Sequence, residues 1–315
     1  MKRIILISIA LLLSGIIILL PTGRKKDPDL IEFYIEKSQK ILVYVVKEEQ
    51  LEEMPLNKYI LGVVSGEMPA SYDDEALRAQ AVCARTYTLC KIKSGGCKKY
   101  NADICTDSKH CQAFMTEEQM KDRWGKDHDK YYKKIEASVI GTNDQILTYN
   151  GKPIDALYHA VSGGKTEDCI NVYKNDLPYL RSVDSPGEED YSKFKSEVRV
   201  SVAEFMKKAE VKNRAVKNLE DIIGDVERFE SGRIKTIVLF GKRFTGIQMR
   251  KLFSLNSANF ELSLNGNEIV FSVLGYGHGV GLSQAGADAM AKNGADYIEI
   301  LNHYYTDVRL ENMKY

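Results

Sequence analysis

Net charge is the first thing this chain lacks. Its 315 residues carry 44 Lys and Arg against 44 Asp and Glu, a formal balance of zero. That excludes a bulk charge suited to nucleic acid or anionic lipid, and no nucleic-acid partner is expected. Low-complexity tracts are missing, and so is any internal repeat of roughly 20–50 residues, which excludes solenoids and disordered arrays. The Gly-x-Ser-x-Gly elbow of serine hydrolases does not occur, and no two cysteines stand in a Cys-x-x-Cys pair. What is present is an ordinary globular composition, 44% hydrophobic and 28% charged, long enough for one or two domains.

The exception is the amino terminus. Ile4 to Leu20 is a stretch of 17 residues without a charge, preceded by Lys2 and Arg3 and followed by Arg24, Lys25 and Lys26. It is at the short end for a spanning helix and longer than most signal-peptide cores, and no clean small-x-small cleavage site follows. Residues 1–23 read as a membrane anchor, with a cleaved signal peptide as the alternative, and residues 24–39 as a charged stalk. Basic residues on both sides leave orientation open by charge alone. The short stub before the apolar run places nearly the whole chain outside the cytoplasm.

Residues 40–315 read as an α+β domain with a mixed sheet and an inserted subdomain over about 190–265, since strands and helices alternate without regular βαβ units. Ile41 to Val46 is a continuous apolar run, expected as a buried strand. Leu56, Tyr59, Ile60, Val63 and Val64 fall at helical spacing. Ser71 and Asp74 suggest a capping box for the next helix, which ends near Cys90. Residues 91–112 lack periodicity and need something to order them. Lys126 to Val139 reads as a helix. Gln145–Tyr149 and Ile154–Ala160 flank Asn150-Gly151, a hairpin signal. Strands are expected at 234–240 and 269–274, and helices after Thr245, after Ser283 and over Tyr297–Tyr304.

Glu67 ends the first apolar helix. Negative charge is mildly unfavourable there, so the position asks for another reason to exist. A carboxyl group against apolar packing is how a general acid is built; the plain alternative is a solvated surface glutamate. Arg85 on the next helix is a candidate to hold substrate or tune Glu67, or else an ordinary surface cation. Cys105, His110 and Cys111 lie within one loop and suit zinc. Three ligands would leave an open position, and Cys97 as a fourth would close it; a Cys105–Cys111 disulfide is the alternative. Cys83 and Cys90 read as buried or half-buried thiols. The loops at Ser162-Gly163-Gly164-Lys165 and Gly275-Tyr276-Gly277-His278 would let backbone amides approach a ligand. The second is not the dinucleotide fingerprint. His159 reads as a core histidine, and a triad of Ser162 with a histidine is weakly supported.

Four stretches in order then resemble the stage II sporulation protein D family. They are Ser65-Gly66-Glu67-Met68-Pro69-Ala70-Ser71 with the Ala79–Tyr87 helix, Cys105–Gln112, Ser162–Glu167, and Gly275–Ala287. The resemblance spans residues 40–310. It implies a membrane-anchored lytic transglycosylase outside the cytoplasm, at the septal membrane of the mother cell during engulfment of the forespore. The implied substrate is peptidoglycan glycan freed of stem peptides by a partner amidase, in a complex that includes a membrane protein. Glu67 is then the catalytic residue. Arg85, Tyr87, Tyr158, Ser162, Gly163, Lys165, His278 and Gln284 are assigned to substrate. Some clostridial members bind zinc through cysteines matching Cys105 and Cys111 with histidine help. His110 matches one such histidine. Lys99 stands near where another is expected, and Cys97 is the candidate replacement.

Overall fold

The computed structural model describes residues 34–212 and 216–313. The expected anchor, and the stalk as far as residue 33, lie outside the described residues. Among the described residues no helix is long and apolar enough to cross a membrane. Strand β1 (Lys40–Val45) buries Ile41, Val43 and Val45 and turns the residues between them outward. It is therefore a half-wet strand with period two, although its run of apolar letters suggested full burial. β2 (Gln50–Pro55) pairs with it antiparallel. Pro55 stands at the entry to helix α1 (Leu56–Glu67), where the first N–H groups have no intrahelical partner and a missing one costs little. Residues from Leu56 through Ser65 are buried on nearly every face of α1, as in a core helix.

Helix α2 (Asp74–Lys93) follows. Its cap is Asp73, whose carboxylate accepts the Glu75 N–H at 3.0 Å. The Ser71–Asp74 box is therefore displaced by two residues. The α2 alanines, Ala76, Ala79, Ala81 and Ala84, are fully buried. Small side chains let α1, and helices from much later in the chain, approach closely. β3 (Ile104–Cys105) adds to β1 in parallel. Then α3 (Glu117–Trp124) begins at a Thr116–Gln119 capping box and leads through a short 3₁₀ turn to α4 (His128–Gly141).

β4 (Gln145–Tyr149) turns at Asn150 and Gly151, both at positive φ (51° and 71°), into β5 (Lys152–Pro153). The turn falls where expected, but the returning strand is Lys152–Pro153 and not Ile154–Ala160; after one more bond, from the Ile154 N–H to the Leu147 carbonyl (3.2 Å), the chain leaves β4. The chain continues as β6 (Tyr158–His159) and α5 (Cys169–Tyr173). A second hydrophobic cluster is built from β7 (Lys195–Ser201), α6 (Val202–Ala209), β8 (Ile223–Arg228), β9 (Ile234–Leu239), β10 (Lys242–Thr245), α7 (Gly246–Phe253), β11 (Asn259–Asn265) and β12 (Glu268–Leu274). Phe205 and Phe253 stack at its centre, 4.8 Å apart. This core runs past residue 265 because β12 pairs with both β11 and β7. β13 (Leu282–Ser283) returns to pair in parallel with β6. α8 (Gln284–Lys292) and α9 (Tyr297–Tyr304) pack on α2, and β14 (Arg309–Asn312) closes on β4.

Candidate active site

The placement of Glu67 starts with two glycines. Gly62 and Gly66 are four residues apart on α1 and so share one face. The segment 112–115 lies directly on that face. Met115 donates its N–H to the Gly62 carbonyl at 3.0 Å. A Cβ at Gly62 would enter the Phe114 ring, and one at Gly66 would sit 2.9 Å from the Phe114 nitrogen. Close docking aims the Ala113 N–H at Glu67 Oε1, 2.5 Å away. Burial raises the Glu67 pKa, while the Ala113 N–H and the Tyr158 hydroxyl pull it back. Its position at the end of α1, where the helix dipole is negative, acts in the same direction as burial.

Gln112 ties this wall together. Buried beside α1, it donates from Nε2 to Thr88 Oγ1 (3.0 Å) and accepts the Tyr158 hydroxyl at Oε1 (2.9 Å). Glu67 opens onto a cavity of about 800 Å³ that Tyr87, Tyr158, His278, Gln284, His110 and Cys111 also line. That is the size range of small-ligand sites. Several lining residues were not foreseen, among them Asp155. Asp155 has its pKa raised by burial, with Lys91 as the opposing influence.

Four residues expected in this groove are elsewhere. Arg85 is fully buried. Its guanidinium donates to the carbonyls of Thr142 (2.8 Å), Gln145 (3.1 Å) and Val139 (3.1 Å). The Val139 and Thr142 carbonyls lie at the end of α4, which leaves its last carbonyls without helical partners, and the Gln145 carbonyl opens β4, so Arg85 ties α2 to both. Ser162 and Gly163 wrap an internal anion. Buried Glu188 accepts the Ser162 hydroxyl (2.8 Å), the Gly163 N–H (2.8 Å) and the Ser283 hydroxyl (2.5 Å). Ser162 therefore belongs to no histidine triad. Lys165 faces Asp184 at 3.6 Å, and its carbonyl accepts from Arg233.

His278 accepts the Val280 N–H at Nδ1 (3.0 Å), which leaves its proton on Nε2. Burial, with Arg250 and Arg233 nearby, brings its pKa down to about 4. His159 bonds the Val280 carbonyl through Nδ1 (3.2 Å) and is only 4% exposed, the core histidine expected. The two rings are 5.5 Å apart. Both are neutral near pH 7, so they offer hydrogen bonds and shape here, and no cationic acid.

Cys97, Cys105, His110 and Cys111 come together beside the cavity. Their ligand atoms all lie within 4.8 Å of one another. Three sulfurs surround His110 Nδ1, Cys97 at 3.4 Å, Cys105 at 3.5 Å and Cys111 at 3.4 Å. Zinc bonds of about 2.3 Å to sulfur and 2.0–2.1 Å to nitrogen, at tetrahedral angles, separate such atoms by about 3.5 Å. The donor set therefore fits zinc, with Cys97 as the fourth ligand and no open position. The cysteines are free thiols. β3 places Cys105, and the turn after it folds over Asp107, whose carbonyl accepts the N–H groups of His110 (2.9 Å) and Cys111 (2.7 Å). Lys99 stands apart, paired with Asp107 at 2.9 Å.

A family model described as stage II sporulation protein matches residues 44–149. Stage II sporulation protein D of Bacillus amyloliquefaciens is 35% identical over 275 residues, 87% of this chain and 79% of that protein. Its counterpart in Bacillus subtilis (strain 168) is also 35% identical, over 86% of this chain and 78% of its own length. The chain belongs to the stage II sporulation protein D family. A more distant relative, the amidase enhancer of Bacillus subtilis (strain 168), is 27% identical over 79% of this chain and 40% of that protein. The segment matched by the family model holds Glu67, Tyr87 and all four candidate metal ligands. Asp155, Tyr158, His278 and Gln284 complete the cavity from beyond it.

Reasoning from sequence missed Asp155, Gln112 and Glu188. Asp155 falls inside Ile154–Ala160, the run expected as a hairpin strand, where nothing in the pattern marks it as a site residue. Gln112 ended a quoted motif without a role. Glu188 is followed by Glu189 and Asp190, and a run of acids reads as solvated surface.

Proposed function

We propose that this protein is a membrane-anchored lytic transglycosylase of sporulation. Its substrate is the bond between N-acetylmuramic acid and N-acetylglucosamine in glycan strands freed of stem peptides, and its role is in forespore engulfment. The observation that carries this reading is one half-buried carboxylate, Glu67, on the wall of a sugar-sized cavity, with burial favouring its neutral form. Neutral Glu67 gives its proton to the glycosidic oxygen as the bond to C1 of the muramoyl residue breaks. The resulting carboxylate takes the proton of the muramoyl 6-hydroxyl, and that oxygen bonds to C1. The product is a 1,6-anhydro end, with no water consumed and Glu67 regenerated as the acid.

Asp155 shares the cavity, yet neither carboxylate perturbs the other's pKa. A retaining glycosidase pair, about 5 Å apart, would couple strongly. That argues against a retaining pair and leaves Glu67 as the acid–base residue of this proposal. Zinc at Cys97, Cys105, His110 and Cys111 would tie the 97–111 loop beside the cavity. Four protein ligands leave it no place for an activated water, so the zinc-hydrolase reading is weaker. A partner amidase would supply the peptide-free strands, and a membrane protein would complete the assembly.

A second reading draws on the distant relative named amidase enhancer. In it the chain binds glycan as a scaffold and cuts nothing. Product mass separates the readings after incubation with amidase-treated glycan. Anhydro-muramoyl ends support the transglycosylase, reducing ends a hydrolase, and uncut glycan the scaffold. Full cleavage by Glu67→Gln would sink the assignment of Glu67.

A further inference from the structure

Many lysines of this protein are paired with carboxylates, such as Lys40 with Glu53, Lys121 with Glu117 and Lys292 with Asp288. The cavity gathers three that are not. Lys91, Lys109 and Lys193 all line it. Among the described residues, none of the three lies in an ion pair. Lys91 comes from the last turn of α2. Lys109 is exposed on the turn of the metal-site loop. Lys193 lies over the Tyr276 ring at 4.8 Å, which fixes its stem while its head remains available.

The negative charge available to balance them is small. Glu67 and Asp155 are the carboxylates lining the cavity, and burial moves both toward the neutral form. A zinc ion with three thiolates and one imidazole would carry a single net negative charge, which offsets one lysine. Three cations thus gather at one mouth in a chain whose formal charge is zero, against two carboxylates whose ionised forms burial disfavours. An excess of cations at a water-accessible rim selects an anionic group on the ligand.

We infer that Lys91, Lys109 and Lys193 read the free lactyl carboxylate of N-acetylmuramic acid. This rests on the proposed function for the identity of the strand. When a stem peptide is attached, that carboxyl group is a neutral amide. When the peptide has been hydrolysed off, it is an anion. The lysines therefore distinguish peptide-free glycan by charge, in addition to any steric exclusion of the peptide. They are specificity residues at the rim and take no part in the proton transfers at Glu67.

The test uses the full-length chain carrying Glu67→Gln, so that glycan is bound without being consumed. Three ligands are titrated: amidase-treated strands, the same strands with lactyl carboxylates converted to methylamides, and chitin oligosaccharides. The free-acid strands should bind about tenfold more tightly than the other two, the size expected of two partly exposed charge pairs. The gap should narrow as salt is raised. Adding Lys91→Gln, Lys109→Gln and Lys193→Gln together should erase the gap, leaving methylamide binding and the unfolding temperature unchanged. Equal affinity for acid and methylamide strands overturns the inference, as does a gap that survives in the triple variant. Wild-type products are scored separately. Preference for the acid without anhydro ends removes the transglycosylase reading and leaves the lysine inference standing. Anhydro ends formed equally well from methylamide strands do the reverse.

Discussion

Gly66→Ala is the sharpest probe of how the site is built. The new Cβ would lie 2.9 Å from the Phe114 nitrogen and 3.1 Å from both the Ala113 carbonyl carbon and Phe114 Cα. These are backbone atoms and have no rotamer by which to move away. Two effects oppose each other. Alanine in a helix gains about 0.8–1.0 kcal/mol over glycine, while overpacking a close contact costs about 1–3 kcal/mol. Backbone against backbone belongs at the upper end of that cost, so the net loss is about 1–2 kcal/mol, or roughly 2–6 °C in Tm for a chain of this size. Relief comes from lifting the 112–115 segment, which lengthens the 2.5 Å bond from the Ala113 N–H to Glu67. That bond favours the carboxylate. Weakening it raises the Glu67 pKa further and moves the alkaline limb of the pH–activity profile to higher pH. Misplacing the acid should lower kcat about tenfold or more. Gly141→Ala is the control. Its Cβ would meet only Arg78 Nε, at an ordinary 3.7 Å, so stability should hold or rise with activity unchanged. A Gly66→Ala protein that melts at or above the wild-type temperature, with an unshifted profile, would refute the reasoning.

Three further outcomes follow from the same geometry. Because the folded-state pKa of Glu67 is raised above the ordinary value of 4.5, the folded protein loses stability as pH climbs from that value through the folded pKa. Glu67→Gln has no such loss, so its Tm should exceed wild type at pH 7 and converge with it near pH 4; a Tm difference that does not change with pH refutes the burial argument. Zinc analysis should find about one ion per chain, and chelation or Cys97→Ser should lower Tm by several degrees together with activity; an unchanged Tm with bound metal absent would remove the structural role. Arg85→Met should cost about 3 kcal/mol by denaturant unfolding, since three buried carbonyls lose a charged donor. The KM of the folded fraction should stay at the wild-type value, whereas a groove residue would shift it.

Glu67 was legible in the chain because its position works against a local rule. A carboxylate at the negative end of an apolar helix invites a functional explanation, and its neighbours match a family motif. Arg85 was not legible in the same way. In an alanine-rich helix buried on most sides, spacing does not say whether a cation faces substrate or another helix. The end of α4, which arrives more than fifty residues later, decides it. Ser162-Gly163-Gly164 shows the matching ambiguity for anions. A run of backbone amides looks the same whether it receives a ligand or the protein's own Glu188. α3 escaped notice because only Met120 of its residues is buried, so it has almost no apolar stripe to read. Cys97 could be offered as a zinc ligand only by elimination, since the Cys97–Ala102 bridge that brings it to Cys105 leaves no mark in spacing.

The glycines carry the deeper reason. In one dimension they read as turns and loops. In the fold, several mark where distant segments touch. Gly62 and Gly66 admit the 112–115 strap to α1. Gly277 admits the His159 side chain, whose Cβ is 2.7 Å from where its own would be, and Gly281 leaves no room for any side chain beside the Leu157 carbonyl. The first pair sets Glu67 against Ala113, and the second holds the 277–281 loop on the 155–159 segment that carries Asp155 and Tyr158. The two walls of the cavity are thus each registered by backbone contact, which substitution elsewhere in the cavity cannot easily loosen. Gly281→Ala should accordingly disturb the cavity from the wall opposite to Gly66→Ala. Because the two sites share no contact, their losses of stability should add to within about 0.5 kcal/mol. A large coupling between them would mean that the walls move as one unit and that the acid's placement depends on both.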